Sequence, residues 1–129
     1  MSDEVDELMR SAFIGGFKSE VVLEASRDLE YLGAIRARFA EAGDLAARHA
    51  TACAVRVIEE LVAKGFCSVA TWERGYGSEP RAIRVTHDEL VELVEATTRR
   101  DAPAFGHFLI TTPAGDAWVE RYHALEREL

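Results

Sequence analysis

Apolar residues recur along this chain at three- and four-residue steps, then briefly at two, then at three and four again. The first rhythm predicts helices. Val5, Leu8, Met9, Ala12 and Phe13 mark a helix over about 3–13, with acids in its first turn and Gly15-Gly16 as its stop. A second helical stretch spans about 19–42, with Ser19 as N-cap and Val22, Ala25, Leu29, Leu32 and Phe39 on one face. Gly33, which costs about 1 kcal/mol relative to Ala in an exposed helix, marks a place for it to break in two, and Gly43 ends it. The third stretch, 44–64, has the clearest stripe: Asp44 caps, Ala50, Ala54, Val57, Ile58, Leu61 and Val62 face inward, and Gly65 follows as the residue after the C-cap. Burying that stripe, at about 25 cal/mol per Å2, is the main identifiable source of stability.

After Gly65 the pattern shortens. Residues 66–72 (FCSVATW) are β-prone and partly alternating, residues 74–80 (RGYGSEP) form a loop, and 82–85 are extended. Thr86-His87-Asp88-Glu89 fits a capping box, in which hydroxyl and carboxylate each satisfy an orphan amide. Leu90, Leu93, Val94 and Thr97 follow on one face, Arg99 and Arg100 suit the negative end of the helix dipole, and Pro103 prevents continuation. Residues 105–111 alternate as a strand; then Thr112 caps a last helix with Pro113 at its first position and Trp118, Val119, Tyr122 and Leu125 as its inner stripe. The expected fold is α+β and mostly helical, with four or five helices on one side of a small two- or three-stranded antiparallel sheet. A single domain is expected over 1–129, with a helical part at 1–43.

Composition and charge narrow the function. With 129 residues and 48% hydrophobic content, the chain buries a core without staples and is not a disordered polymer. Its apolar runs are too short to span a membrane, and its acidic first residues do not read as a signal peptide, so a cytoplasmic protein is expected. Cys53 and Cys67, outside any C-x-x-C pair, read as reduced thiols, Cys53 acting as a small hydrophobe in its helix. The net charge is −8. Residues 1–16 carry four acids against Arg10, and residues 86–129 carry nine acids against four arginines. Residues 64–85 are the one net positive stretch, through Lys64, Arg74, Arg81 and Arg84.

From Val57-Ile58-Glu59-Glu60-Leu61-Val62-Ala63-Lys64-Gly65-Phe66 to Phe108-Leu109-Ile110-Thr111-Thr112-Pro113-Ala114-Gly115, the chain resembles a winged-helix-like scaffold. It is similar to a set of small uncharacterised bacterial proteins in which a helix ends in a Gly-apolar turn and the domain closes with a strand, Thr-Pro-Ala-Gly and a helix. The resemblance covers about the last 75 residues, so 44–129 is the winged-helix-like part. It implies a fold and no catalytic motif. A DNA reader would need basic side chains on the helix entering the major groove. The helix at 86–100 instead leads with Asp88, Glu89, Glu92 and Glu95; the helix at 44–64 offers Arg48, Thr51 and Arg56; and the loop at 73–85 offers Arg74, Arg81 and Arg84 beside Tyr76.

Catalytic patterns are sparse. His49, His87, His107 and His123 show no H-x-x-x-H or H-E-x-x-H spacing, although His107 and His123 come from adjacent elements. Asp88, Glu92 and Glu95 share a face that reads as solvated rather than acid–base, and Gly75-Tyr76-Gly77 is a turn rather than a phosphate cradle. The expectation is a non-enzymatic protein-interaction module without cofactor or metal, an immunity- or antitoxin-like inhibitor or a regulator, whose acidic surface meets a basic protein partner. Asp88, Glu92, Glu95, Glu120 and Glu126 are its candidate contacts, with Trp72 and Tyr76 as aromatic anchors. The alternatives are a winged-helix transcriptional regulator holding DNA through Arg48, Arg56, Arg74, Arg81 and Arg84, and a structural protein that dimerises through an exchanged arm around Phe13, Ile14 and Phe17.

Overall fold

The computed structural model describes residues 3–99 and 106–128, the side chains of residues 12, 13 and 128 excepted. Arg100, Pro103 and Phe105 lie outside the described residues, as does the side chain of Phe13. Within the described residues the protein is α+β and mostly helical, with seven helices and one four-stranded antiparallel sheet.

The N-terminal third divides differently from its glycine pattern. Helix α1 (Asp3–Met9) stops before Ser11, and α2 (Ala12–Arg27) runs straight through Gly15-Gly16. Both glycines have open space around them. The helix is held by Ile14, Phe17, Val21, Val22 and Ala25, all buried, so packing outweighs the weak propensity of the pair. Ser19, expected as a cap, lies inside α2, and its hydroxyl donates to the Gly15 carbonyl at 3.1 Å. The chain breaks ahead of Gly33: strand β1 (Glu30–Tyr31) interrupts the helical pattern, and α3 (Leu32–Ala40) follows with Gly33 in its first turn. A Cβ on Gly33 would lie 3.1 Å from the Thr97 Cβ, so the glycine lets the end of another helix come close.

Gly43, rather than Asp44, precedes α4 (Asp44–Arg48), and its φ of 127° is a conformation that glycine adopts without strain. A one-residue kink at His49 separates α4 from α5 (Ala50–Ala63). The predicted stripe of α5 is buried at Ala50, Ala54, Val57, Ile58 and Leu61, whereas Val62 is 41% exposed. Gly65 (φ 79°) ends the helix in a Schellman turn, with the Phe66 amide on the Leu61 carbonyl and the Gly65 amide on Val62.

Strands β2 (Cys67–Trp72) and β3 (Pro80–Ala82) form a hairpin, α6 (His87–Ala96) follows, then β4 (His107–Thr111) and α7 (Pro113–Glu128). The sheet order is β1-β4-β2-β3. The expected pairing of β2 with β4 is present, with Val69 opposite Leu109 and Ala70 opposite Phe108. β4, arriving from beyond α6, occupies the middle with β1 on its other side. A winged-helix assignment does not follow from this four-stranded order. One sheet face sends Cys67, Val69 and Leu109 into the core with Leu32, Ile35, Phe39, Val57, Ile58 and Val94. On the other face lie Phe108 and Trp72, with ring centroids 4.6 Å apart, and Tyr31, edge-on to Phe108.

The turn after α5 is tied to the start of α7. The Thr112 amide donates to the Phe66 carbonyl at 3.1 Å, and the Thr112 hydroxyl donates to the Gly65 carbonyl while accepting the Gly115 amide at 3.1 Å. Trp118, Val119 and Tyr122 lie on the more buried side of α7, but Leu125 is 63% exposed and does not belong to the inner stripe. At α6 the capping box is complete: Thr86 Oγ1 accepts the Glu89 amide at 3.2 Å, and the Glu89 carboxylate accepts the Thr86 amide at 3.0 Å. Hydrogen bonds from the Thr86 amide and then from its side chain hold the Glu89 carboxyl below the usual range. Thr86→Ala should lower stability by about 1 kcal/mol, read as a lower urea midpoint at unchanged slope.

Candidate functional site: an α5 cleft bordered by an acidic helix

The outward side of α5 carries Thr51, Ala52, Val55, Arg56 and Glu59 into a cleft of about 820 Å3. Val5 of α1, Arg36 of α3, Arg48 and His49 at the α4–α5 kink, and His87, Val91 and Glu95 of α6 complete its walls. Helix α1 crosses it with Val5 buried at 3% exposure. Its carboxylates meet the basic residues there: Glu4 accepts from His49 Nε2 at 2.8 Å and lies 3.9 Å from Arg48 Nη2, and Asp6 accepts from Arg56 Nη1 at 2.9 Å. His87 Nδ1 is 3.1 Å from Glu59 Oε2. Arg36 Nε donates to Thr51 Oγ1 at 3.0 Å.

The five arginines set out for a DNA contact do not share one groove. Arg48 and Arg56 meet in the α5 cleft, each facing an α1 carboxylate. Arg74 and Arg81 are exposed on the β2–β3 hairpin, and Arg84 lines separate grooves beside Ile83 and Val85. Sequence reasoning passed over Arg36, His49, Glu59 and the α1 carboxylates as parts of one site. Their only local signal was an acid-rich first turn, since the contacts join residues far apart in the chain.

The acidic candidates divide into two groups. On α6, Asp88, Glu92 and Glu95 are exposed, spaced to share one face, and form no ion pair among the described residues. On α7, Glu126 lies 3.4 Å from His123 Nδ1, and Glu120 borders a groove with Arg121, His123 and Arg127, so that surface is mixed in sign. Helix α6 packs on α5 and α3, α7 on α2 and β4. The aromatic candidates are occupied within the molecule. Trp72 packs on Phe108, while Tyr76 leans edge-on to Trp72 at 5.6 Å and hydrogen-bonds Tyr31, although its ring stays 75% exposed.

Neither cysteine offers a nucleophile. Cys53 and Cys67 are free and buried, and burial pushes the Cys67 thiol up to about 12, so it stays protonated at neutral pH. His107, which burial holds below the usual imidazole range, lines a groove with Arg84, Glu89 and Arg99, whereas His123 lines another on α7. Among the described residues, no three His, Cys, Asp or Glu side chains gather as a metal site, and no helix is long and apolar enough to cross a membrane. No family model matches the chain, and no curated protein or solved structure matches it either.

Proposed function

We propose that this protein is a non-enzymatic interaction module that holds a basic protein partner against the outer face of α6. The observation that carries the reading is the placement of Glu95. It sits in the last turn of α6, where the helix dipole opposes a carboxylate, and no basic residue occupies that turn to offset it. Asp88 suits the first turn for the helix's own sake, but Glu92 and Glu95 do not, and none of the three forms an ion pair among the described residues. Three exposed carboxylates on one face cost little in solvent and attract a cationic surface at long range. The reading fits an inhibitor of a basic protein or a regulator of one, acting in a reducing compartment such as the cytoplasm, where buried free thiols persist.

The DNA reading is weaker, because the two arginines that meet on α5 already face carboxylates. The test compares the wild type with a variant neutralised on α6 (Asp88→Asn, Glu92→Gln, Glu95→Gln) and one neutralised on the hairpin (Arg74→Gln, Arg81→Gln, Arg84→Gln). Host extract is applied at low salt, and the retained partner is then purified for measurement. The wild type and the hairpin variant should retain a basic protein that salt releases. The α6 variant should bind it about tenfold or more weakly, mostly through slower association, each rim charge contributing about 0.2–1 kcal/mol. Retention of duplex DNA alone, or a partner indifferent to the α6 changes, would overturn the proposal.

A further inference from the structure

Among the cations of the α5 cleft, one is left over. Arg48 and Arg56 face Glu4 and Asp6 of α1, and His87 faces Glu59. Arg36 has no carboxylate within 4 Å among the described residues, although Glu59 and Glu95 line the same cleft. It is half-buried, and its one hydrogen bond there runs from Nε to Thr51 Oγ1 at 3.0 Å. That bond anchors one edge of a planar fork and leaves the Nη donors for another acceptor. Among the described residues no buried side-chain nitrogen or oxygen lacks a partner, so the Nη groups reach the solvent of the cleft, where an anion can displace water and form charge-assisted bonds to them.

The surroundings restrict the anion. Val5, Ala52, Val55 and Val91 supply apolar wall, and about 820 Å3 falls within the range of small-molecule sites. Glu59 and Glu95 line the same cleft, with Glu4 at its α1 edge, so a dianion such as phosphate would meet about twice the repulsion that a single charge meets.

We propose that the α5 cleft binds a small organic monocarboxylate, its carboxylate forked onto Arg36 and its apolar body against Ala52 and Val91, with the buried Val5 and Val55 at the floor. This goes beyond the protein-binding reading and does not depend on it: Glu95 borders both the cleft and the partner face, but the ligand's carboxylate meets Arg36 of α3.

The test is a titration of the 15N-labelled protein with hexanoate, with hexanol as the uncharged counterpart and inorganic phosphate as the multiply charged one. Hexanoate should shift the amides of Arg36, Thr51, Val55 and Val91 with a dissociation constant of about millimolar, as expected for so small a ligand. Hexanol should bind at least about tenfold more weakly, the loss of a charge-assisted fork. Arg36→Gln should abolish the preference for carboxylate over alcohol, with the dispersion of its spectrum reporting the fold. Thr51→Val, which only frees the guanidinium, should weaken hexanoate several-fold. The proposal is overturned if hexanoate leaves those amides unmoved, if phosphate binds more tightly than hexanoate, or if both variants keep the full preference.

Discussion

Gly115→Ala is expected to lower the stability of this protein by about 4 kcal/mol or more, among the largest effects a single added methyl produces. The new Cβ would stand 2.1 Å from the Phe66 carbonyl oxygen, 3.0 Å from its carbon and 3.3 Å from the Thr111 Cβ. Two of those atoms belong to backbone and cannot swing aside. Relief requires α7 to lift from the Gly65-Phe66 turn, and that breaks the Thr112 bonds to both carbonyls. Urea unfolding should show a sharply lower midpoint. A change under about 1 kcal/mol would mean that α7 does not seat as described. Gly15→Ala is the matched control: with open space around it on an exposed part of α2, it should stabilise by about 0.5–1 kcal/mol.

Arg38→Gln is expected to cost about 3 kcal/mol at neutral pH and markedly less in mild acid. Glu30 of β1 is buried, with its side chain 6% exposed, and Arg38 Nη2 lies 3.6 Å from its carboxylate. The same guanidinium reaches Glu20 at 3.2 Å and sits 5.8 Å from the Phe17 ring centre. Removing one partner of a buried pair strands the other. Burial already holds the Glu30 carboxyl above its ordinary 4.5, while Arg38 pulls it back and Glu24 and Glu20 add to the rise. Between 4.5 and that raised value the folded protein keeps a proton that the unfolded chain releases, so this contribution to stability falls as pH rises through the window. Without Arg38 the window extends upward, and the loss at pH 7.5 exceeds that at pH 5. Thermal melts at the two pH values decide it: equal losses would mean that Glu30 is not the stranded group. Arg38→Gln with Glu30→Gln should recover stability at pH 7.5 and flatten the profile.

Sequence pattern was informative where local chemistry suffices. The Thr86 capping box, the Gly65 turn and Pro113 at the start of α7 each rest on residues within one turn of one another, and each is present. Where partners lie far apart, the pattern misled. Gly33 marked the weak point of that helical stretch, but the break falls a few residues earlier, at β1, because Glu30 and Tyr31 pair with Leu109 and Phe108. Gly15-Gly16 reads as a stop, yet the core accepts a helix through it. The candidate site divides in the same way. The exposure of Asp88, Glu92 and Glu95 follows from the periodicity of α6, so their place on the surface was legible. That Arg48 and Arg56 already face acids, and that Arg36 has no carboxylate within 4 Å among the described residues, depends on how α1 and α3 lie across α5.

The central position of β4 also bears on how the molecule comes into being. A chain emerging from the ribosome can build the β2–β3 hairpin early, but β1 has nothing to zip against until residues 107–111 appear. Until then the β2 edge that β4 will fill stands bare, and bare edges recruit strands from other molecules. Synthesis of this protein therefore keeps that seam open until β4 arrives to close it.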